Sequence, residues 1–144
     1  METGHIGLNV TDLARSREFY GRVLGLEQIG HGEQPGRYAF MGRDGRLVLT
    51  LWEQSEGTFA THQPGLHHLS FQVASMDEVL AAASTLRELG TELTHGGPVA
   101  HAEGAGSGGI FFTDPDGIRL EIYAPTGAHE LTAPTGAAPT CGFF

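Results

Sequence analysis

Between residues 5 and 10 apolar and polar positions alternate. Ile6, Leu8 and Val10 fall on one side and His5, Gly7 and Asn9 on the other, the pattern of a half-buried strand. Thr11-Asp12 is an N-cap signal. Leu13, Ser16, Phe19, Tyr20, Val23 and Leu24 then recur at helical spacing until Gly25 stops the helix. A short strand is expected over 26–31, then a Gly/Pro turn over 32–36. Strands at 37–41 and 47–52 are joined by Gly42-Arg43-Asp44-Gly45, a hairpin signal.

A polar stretch containing Gly57, Pro64 and Gly65 follows, and then the order returns. Residues 68–73 alternate as 5–10 do, with Leu69, Phe71 and Val73 on one face. Ser75 and Glu78 form a capping-box pattern. Val79, Leu80, Ala82, Ala83, Leu86 and Leu89 give a second apolar helical stripe ended by Gly90. Residues 91–95 read as a strand and the glycine-rich 96–109 as a mobile loop. Strands at 110–113 and 118–123 flank the turn Asp114-Pro115-Asp116-Gly117.

The chain is thus an internal repeat of about 63 residues, counted from His5 to His68. The expected fold class is α+β, with two tandem βαβββ modules forming a curved mixed sheet, a cup with its helices outside. One helix per module covers only one face of its strands, which leaves the other faces to line a shared interior. The expected divisions are a first module at 1–53, a linker at 54–65, a second module at 66–125 and a mobile Ala/Gly/Pro/Thr-rich tail at 126–144.

Composition narrows the partners. With 8 basic and 17 acidic residues the formal charge is −9, which speaks against nucleic acid or an anionic membrane surface. The single cysteine, Cys141, excludes an internal disulfide framework and a Cys-based zinc site, and it is expected to be an inert, exposed thiol. No apolar run reaches membrane-spanning length, and the first ten residues lack the features of a secretory signal, so a cytoplasmic location is expected. Of the eight histidines, His31, His62 and His129 sit among polar loop residues and read as solvated.

The remaining chemistry collects on the non-helix faces. In residues 118–123, Ile118, Leu120 and Ile122 share the core face, while Arg119, Glu121 and Tyr123 share the other. The same alternation puts His5 and His68 on the corresponding face of their strands, and turns His67 towards the helix side. Two imidazoles and one carboxylate with open positions left over form the 2-His-1-carboxylate arrangement for a divalent first-row metal. Each residue taken singly reads as a solvated polar group; it is their common placement that points to a site. His101, in the glycine-rich loop, is a candidate general acid–base, with a plain loop histidine as the alternative. Arg119 and Tyr123 are further candidates for catalysis. Asn9, Thr50, Trp52, Gln72 and Phe111 are candidate substrate contacts, with Tyr38 beside them. The aromatic members suggest an aromatic ligand, and Phe111 and Tyr38 also read as core.

The chain resembles the vicinal oxygen chelate superfamily, which includes glyoxalase I, extradiol dioxygenases, fosfomycin-resistance transferases and bleomycin-resistance proteins. The resemblance rests on residues 5–13 with Phe19-Tyr20 and Leu24-Gly25-Leu26, on residues 65–73, and on residues 114–123. It implies paired βαβββ modules around a metal, with His5, His68 and Glu121 at the ligand positions. It also implies one divalent ion, Fe(II) favoured over Mn(II), Ni(II), Co(II) or Zn(II), and a homodimer. Glyoxalase I has a fourth ligand, a glutamate, where Thr50 or a neighbour stands here, which disfavours that activity. Extradiol dioxygenases have a histidine, matched here by His101, and a tyrosine, replaced here by Phe111. The leading expectation is dioxygenase-like chemistry on a small oxygen-chelating, phenolic substrate. The alternatives are an antibiotic-sequestering protein and a metal-dependent transferase, isomerase or lyase.

Overall fold

The computed structural model describes residues 3–144. They form two compact units, the first ending at Phe59 and the second running Ala60–Phe144. In the first unit, β1 (Ile6–Val10) leads into α1 (Leu13–Leu24), followed by β2 (Glu27–Gly32), β3 (Tyr38–Arg43) and β4 (Arg46–Glu53). The second unit runs β5 (Leu69–Gln72), α2 (Met76–Glu88), β6 (Val99–Ala100), β7 (Gly108–Thr113) and β8 (Arg119–Ala124). The sheets are ordered β1-β4-β3-β2 and β5-β8-β7-β6. The repeat read from alternation is therefore a repeat of topology. In each unit the first strand lies parallel to the last, and the other pairings are antiparallel.

The local signals act as expected. The Asp12 carboxylate accepts the amide of Arg15 at 3.0 Å and caps α1, and Gly25 takes the left-handed conformation that ends it. Ser75 caps α2 by accepting the amide of Glu78. Phe19, Tyr20 and Val23 of α1 are buried together with Leu8, Val10, Ala39, Met41, Leu49 and Leu51 of the first sheet. Val79, Ala83 and Leu86 of α2 are buried with Ile110, Phe112, Leu120 and Ile122 of the second. Each large apolar side chain so buried contributes roughly 1.5–3 kcal/mol. These contacts fix which face of each sheet is left for chemistry.

Three features differ from the sequence reading. Residues 91–95 are not a strand. Thr94 donates one backbone bond to the Phe111 carbonyl, but the Gly96-Gly97-Pro98 stretch breaks the ladder, and the paired strand is the short β6 that follows. Second, Gly108 and Gly109 belong to β7 rather than to a loop. A Cβ on Gly109 would stand 2.4 Å from the Ile122 carbonyl oxygen, and one on Gly108 2.6 Å from the Ala128 Cβ. Only glycine lets the backbones approach so closely.

The third difference is the segment 126–144, which is bonded into the second unit. The Ala100 amide donates to the Thr132 carbonyl, the Ala128 amide to Gly106 and the Glu103 amide to Gly136. Ala128 and Thr140 are fully buried, and Thr140–Gly142 forms a 3-10 turn. A composition rich in Ala, Gly, Pro and Thr signals poor helix and strand formation, but it does not preclude docking by backbone bonds. Cys141 is accordingly half-buried rather than exposed. His67 is exposed, and its Nδ1 lies 2.8 Å from the Nδ1 of His68.

Candidate metal and ligand site

The phase of β8 is set one turn earlier. The buried Asp114 carboxylate oxygen accepts the amides of Asp116 at 2.9 Å and Ile118 at 2.8 Å, and Gly117 takes φ 88°. The strand leaves this turn with Leu120 and Ile122 towards α2 and with Arg119, Glu121 and Tyr123 on the opposite face. Glu121 then lies between Phe111 of β7 and Ser70 of β5 in the ladder.

Glu121 is only 3% exposed. Its Oε1 stands 2.7 Å from the Nε2 of His101, and its Oε2 stands 3.4 Å from the Nε2 of His68. One carboxylate thus reaches two imidazoles, one through each oxygen. The His101 contact is close but not aligned as a hydrogen bond, so Glu121 Oε1 and His101 Nε2 are both buried without a hydrogen-bond partner. Burial pushes the Glu121 carboxyl up. The His101 imidazole, the Ser70 hydroxyl and the charges of His101 and His68 outweigh it, and the carboxyl titrates below its ordinary value. Glu121 is therefore a buried anion near neutral pH.

The surrounding side chains hold this group in place. His101 Nδ1 lies 3.0 Å from the Ser107 hydroxyl, which orients the ring, and the ring stacks obliquely on Tyr123 at 5.3 Å. The Tyr123 hydroxyl donates to Gln72 Oε1 at 2.9 Å across the β5–β8 pairing. Phe111, fully buried, packs edge-on against His95. Arg119 lies with its guanidinium 5.5 Å from the Phe144 ring. The Cys141 thiol is pushed up by burial and by the charge of Glu121. Sequence reasoning missed Ser70, Ser107 and Phe144. Ser70 follows from its register with Glu121, whereas no local pattern signals the other two.

The first unit carries its own polar and aromatic face. Phe40 pairs with Thr50 and Tyr38 with Trp52, opposite the face that holds Leu49 and Leu51. Tyr38 and Trp52 stack at 5.0 Å, and the Trp52 indole donates to the buried Thr50 hydroxyl at 3.1 Å. Asn9 accepts the amide of Gln54 through Oδ1. His5 is exposed, immediately before β1. So the second unit gathers His68, His101, Glu121, Tyr123, Gln72 and Phe111, while Asn9, Thr50 and Trp52 share a face of the first. Among the described residues no three His, Cys, Asp or Glu side chains are gathered in metal-holding geometry. What the second unit supplies is the His68–Glu121 pair with His101 beside it.

These features define a class. Residues 3–122 match the family model described as the Glyoxalase/Bleomycin resistance protein/Dioxygenase superfamily, and the chain belongs to that superfamily. It is 30% identical over 129 residues to a catechol-2,3-dioxygenase of Bacillus subtilis (strain 168), a match that takes in 85% of this chain but only 42% of that relative's length. It is 29% identical over 142 residues to a trivalent organoarsenical cleaving enzyme of Bacillus sp. (strain MD1), covering 98% of this chain and 83% of that protein. The fosfomycin resistance protein FosX of Listeria monocytogenes, in a crystal structure with Mn(II) and sulfate, shares the fold with a TM-score of 0.64. That match is 22% identical and covers 89% of this chain and 95% of that one. No helix of the described residues is long and apolar enough to cross a membrane.

Proposed function

We propose that this chain is a metal-dependent enzyme of the superfamily, dioxygenase-like, acting on a small phenolic substrate that chelates through two neighbouring oxygens. The observation that carries the reading is the buried, ionised Glu121 between two imidazoles, with one oxygen lacking a hydrogen-bond partner. A buried anion left so is costly unless a positive charge accompanies it. The donor set fits a divalent cation. His68 and Glu121 would supply two ligands and His5 of the first unit the third.

A divalent ion held there would act as a Lewis acid, stabilising negative charge on the two substrate oxygens. Fe(II) is favoured, and Mn(II), Co(II), Ni(II) and Zn(II) share this donor preference. The chain's own residues do the rest. His101 carries a proton at Nε2 beside the reacting oxygens, its ring held by Ser107. Tyr123, oriented by Gln72, offers its hydroxyl, and Arg119 takes an anionic substituent. Phe111 backs the site, and Asn9, Thr50 and Trp52 are proposed as further substrate contacts. The likeness to a catechol dioxygenase supports the choice of phenolic substrates, and the Mn(II) in FosX supports a divalent ion on this fold. The protein is proposed to be a homodimer.

Elemental analysis of tag-free protein beside His68→Ala tests the reading. About one metal per chain, lost in the variant, supports it, and oxygen uptake with catechols then tests the reaction. No metal after reconstitution overturns it and leaves antibiotic sequestration as the reading to pursue. Mixing His5→Ala with Glu121→Gln asks whether one site draws on two chains: partial recovery of metal in the mixture requires ligands from both copies.

A further inference from the structure

The Phe144 ring lies among the side chains that the proposed reaction needs. It stacks at 5.4 Å on His68, with an interplanar angle of 38°. Phe111 meets it edge-on at 5.3 Å and His67 at 6.1 Å, and the Arg119 guanidinium carbon sits 5.5 Å from its centroid. Two imidazoles, a phenyl ring and a guanidinium thus surround one aromatic ring. That set suits a flat ring bearing an anionic group, since it offers stacking partners and one cation. Among the described residues Arg119 forms no ion pair, so its charge is free for such a group.

The attachment of the segment shows how the ring could leave. Thr140 is a firm anchor: its amide donates to the His101 carbonyl at 2.8 Å, its hydroxyl donates to the Ala100 carbonyl at 2.9 Å, and it is fully buried. Beyond it Gly142 is exposed, and Phe143 is 55% exposed with its amide bonded back to Thr140. Phe144 is held by its ring contacts. An anchored turn therefore carries one aromatic side chain on a short, exposed arm.

We propose that His67, His68, Phe111 and Arg119 form an aryl subsite beside Glu121, occupied by the chain's own Phe144, and that an anionic monocyclic aromatic ligand displaces this ring. The proposal deepens the phenolic-substrate reading above, on which it rests for its biological ligand, but the subsite itself needs no metal. Phe144 is then a built-in competitor. The apparent affinity for an aromatic ligand is reduced by the fraction of time the ring is seated, and a ring seated nine-tenths of the time weakens binding about tenfold.

Salicylate is the probe, titrated by calorimetry into chelator-treated full-length protein, so that failure of the metal reading leaves the test intact. The expected result is that Phe144→Ala binds salicylate about tenfold more tightly than the unaltered chain, and that adding Arg119→Gln removes most of that gain. In the unaltered protein, salicylate should speed hydrogen exchange at the Phe143 amide as the arm lifts. Equal or weaker binding by Phe144→Ala, with its melting temperature unchanged, overturns the proposal. If that variant is destabilised, the exchange measurement decides: no acceleration at Phe143 under saturating salicylate overturns it as well.

Discussion

Phe111 and Glu121 stand directly opposite each other across the β7–β8 pairing, a phenyl ring facing a carboxylate. The ring offers the carboxylate no hydrogen bond, so the charge is met from the sides, by His101 at one oxygen and His68 at the other. Replacing Glu121 with Gln keeps the shape and removes the charge. Metal affinity is expected to fall by at least about 10–100-fold, the loss that follows even when only a group supporting a metal ligand is changed. Calorimetric titration with Fe(II) or Mn(II) under anaerobic conditions measures this, and unchanged affinity would remove Glu121 from the ligand set.

His101 should behave differently from the ligands. Its place beside Glu121 suits proton transfer, so His101→Asn is expected to keep bound metal and lose turnover by about 10²–10⁴-fold. Oxygen-uptake rates with catechol, together with metal content, separate the roles. Loss of metal in this variant would make His101 a ligand instead.

Asp114 fixes the turn that sets the phase of β8. Two amides depend on one of its buried oxygens. Asp114→Ala is expected to cost about 2–4 kcal/mol, since two backbone donors would lose a charged acceptor at a buried turn. Urea unfolding gives the value. A loss below about 1 kcal/mol would show that water takes over both bonds.

Gly109 tests the close approach of β7 to β8. A methyl group there would meet the Ile122 carbonyl oxygen at 2.4 Å and the Tyr123 Cβ at 2.8 Å. Neither backbone nor Cβ can swing aside, so Gly109→Ala is expected to destabilise the second unit by about 1–3 kcal/mol. Gly45, at the tip of the first hairpin, has open space but a positive φ, so an alanine there should cost only the smaller conformational penalty of about 1 kcal/mol.

His95 gives a pH-dependent stability. Burial disfavours its imidazolium and lowers its pKa below the ordinary 6.5. As pH falls, the unfolded chain takes up this proton first. Stability is full above the unfolded value, declines as pH drops towards the folded pKa, and levels off below it. The buried Nε2 lacks a partner, so His95→Phe should remove this decline and leave neutral-pH stability nearly unchanged. Urea midpoints at about pH 7.5 and about pH 5.5 should therefore differ less in the variant than in the parent.

The parts of the molecule legible in sequence were those governed by short periods. Alternation placed Glu121 and its neighbours on the face away from α2, and it placed Leu49 and Leu51 beneath α1. The match between residues 5–10 and 68–73 announced a repeat, which appears as one strand order used twice. Long-range docking was not legible. Residues 91–95 carry strand-like alternation, but a glycine pair and Pro98 deny them a ladder. Gly108 and Gly109 look like loop because sequence does not display the neighbour that forbids a side chain. Residues 126–144 bond mainly through backbone groups, which every residue owns, so their composition could not reveal where they attach.

The anchoring of Thr140 to Ala100 also has a consequence for the order in which the protein is made. Every strand of both units precedes residue 139, and synthesis proceeds at roughly 5–20 residues per second. For a short interval a nascent chain therefore has its second sheet complete while His68, Phe111 and Arg119 are still bare of Phe144. In that interval a newborn molecule would meet aromatic compounds in its surroundings without internal competition, and any metal ion would reach Glu121 before the final turn closes over it.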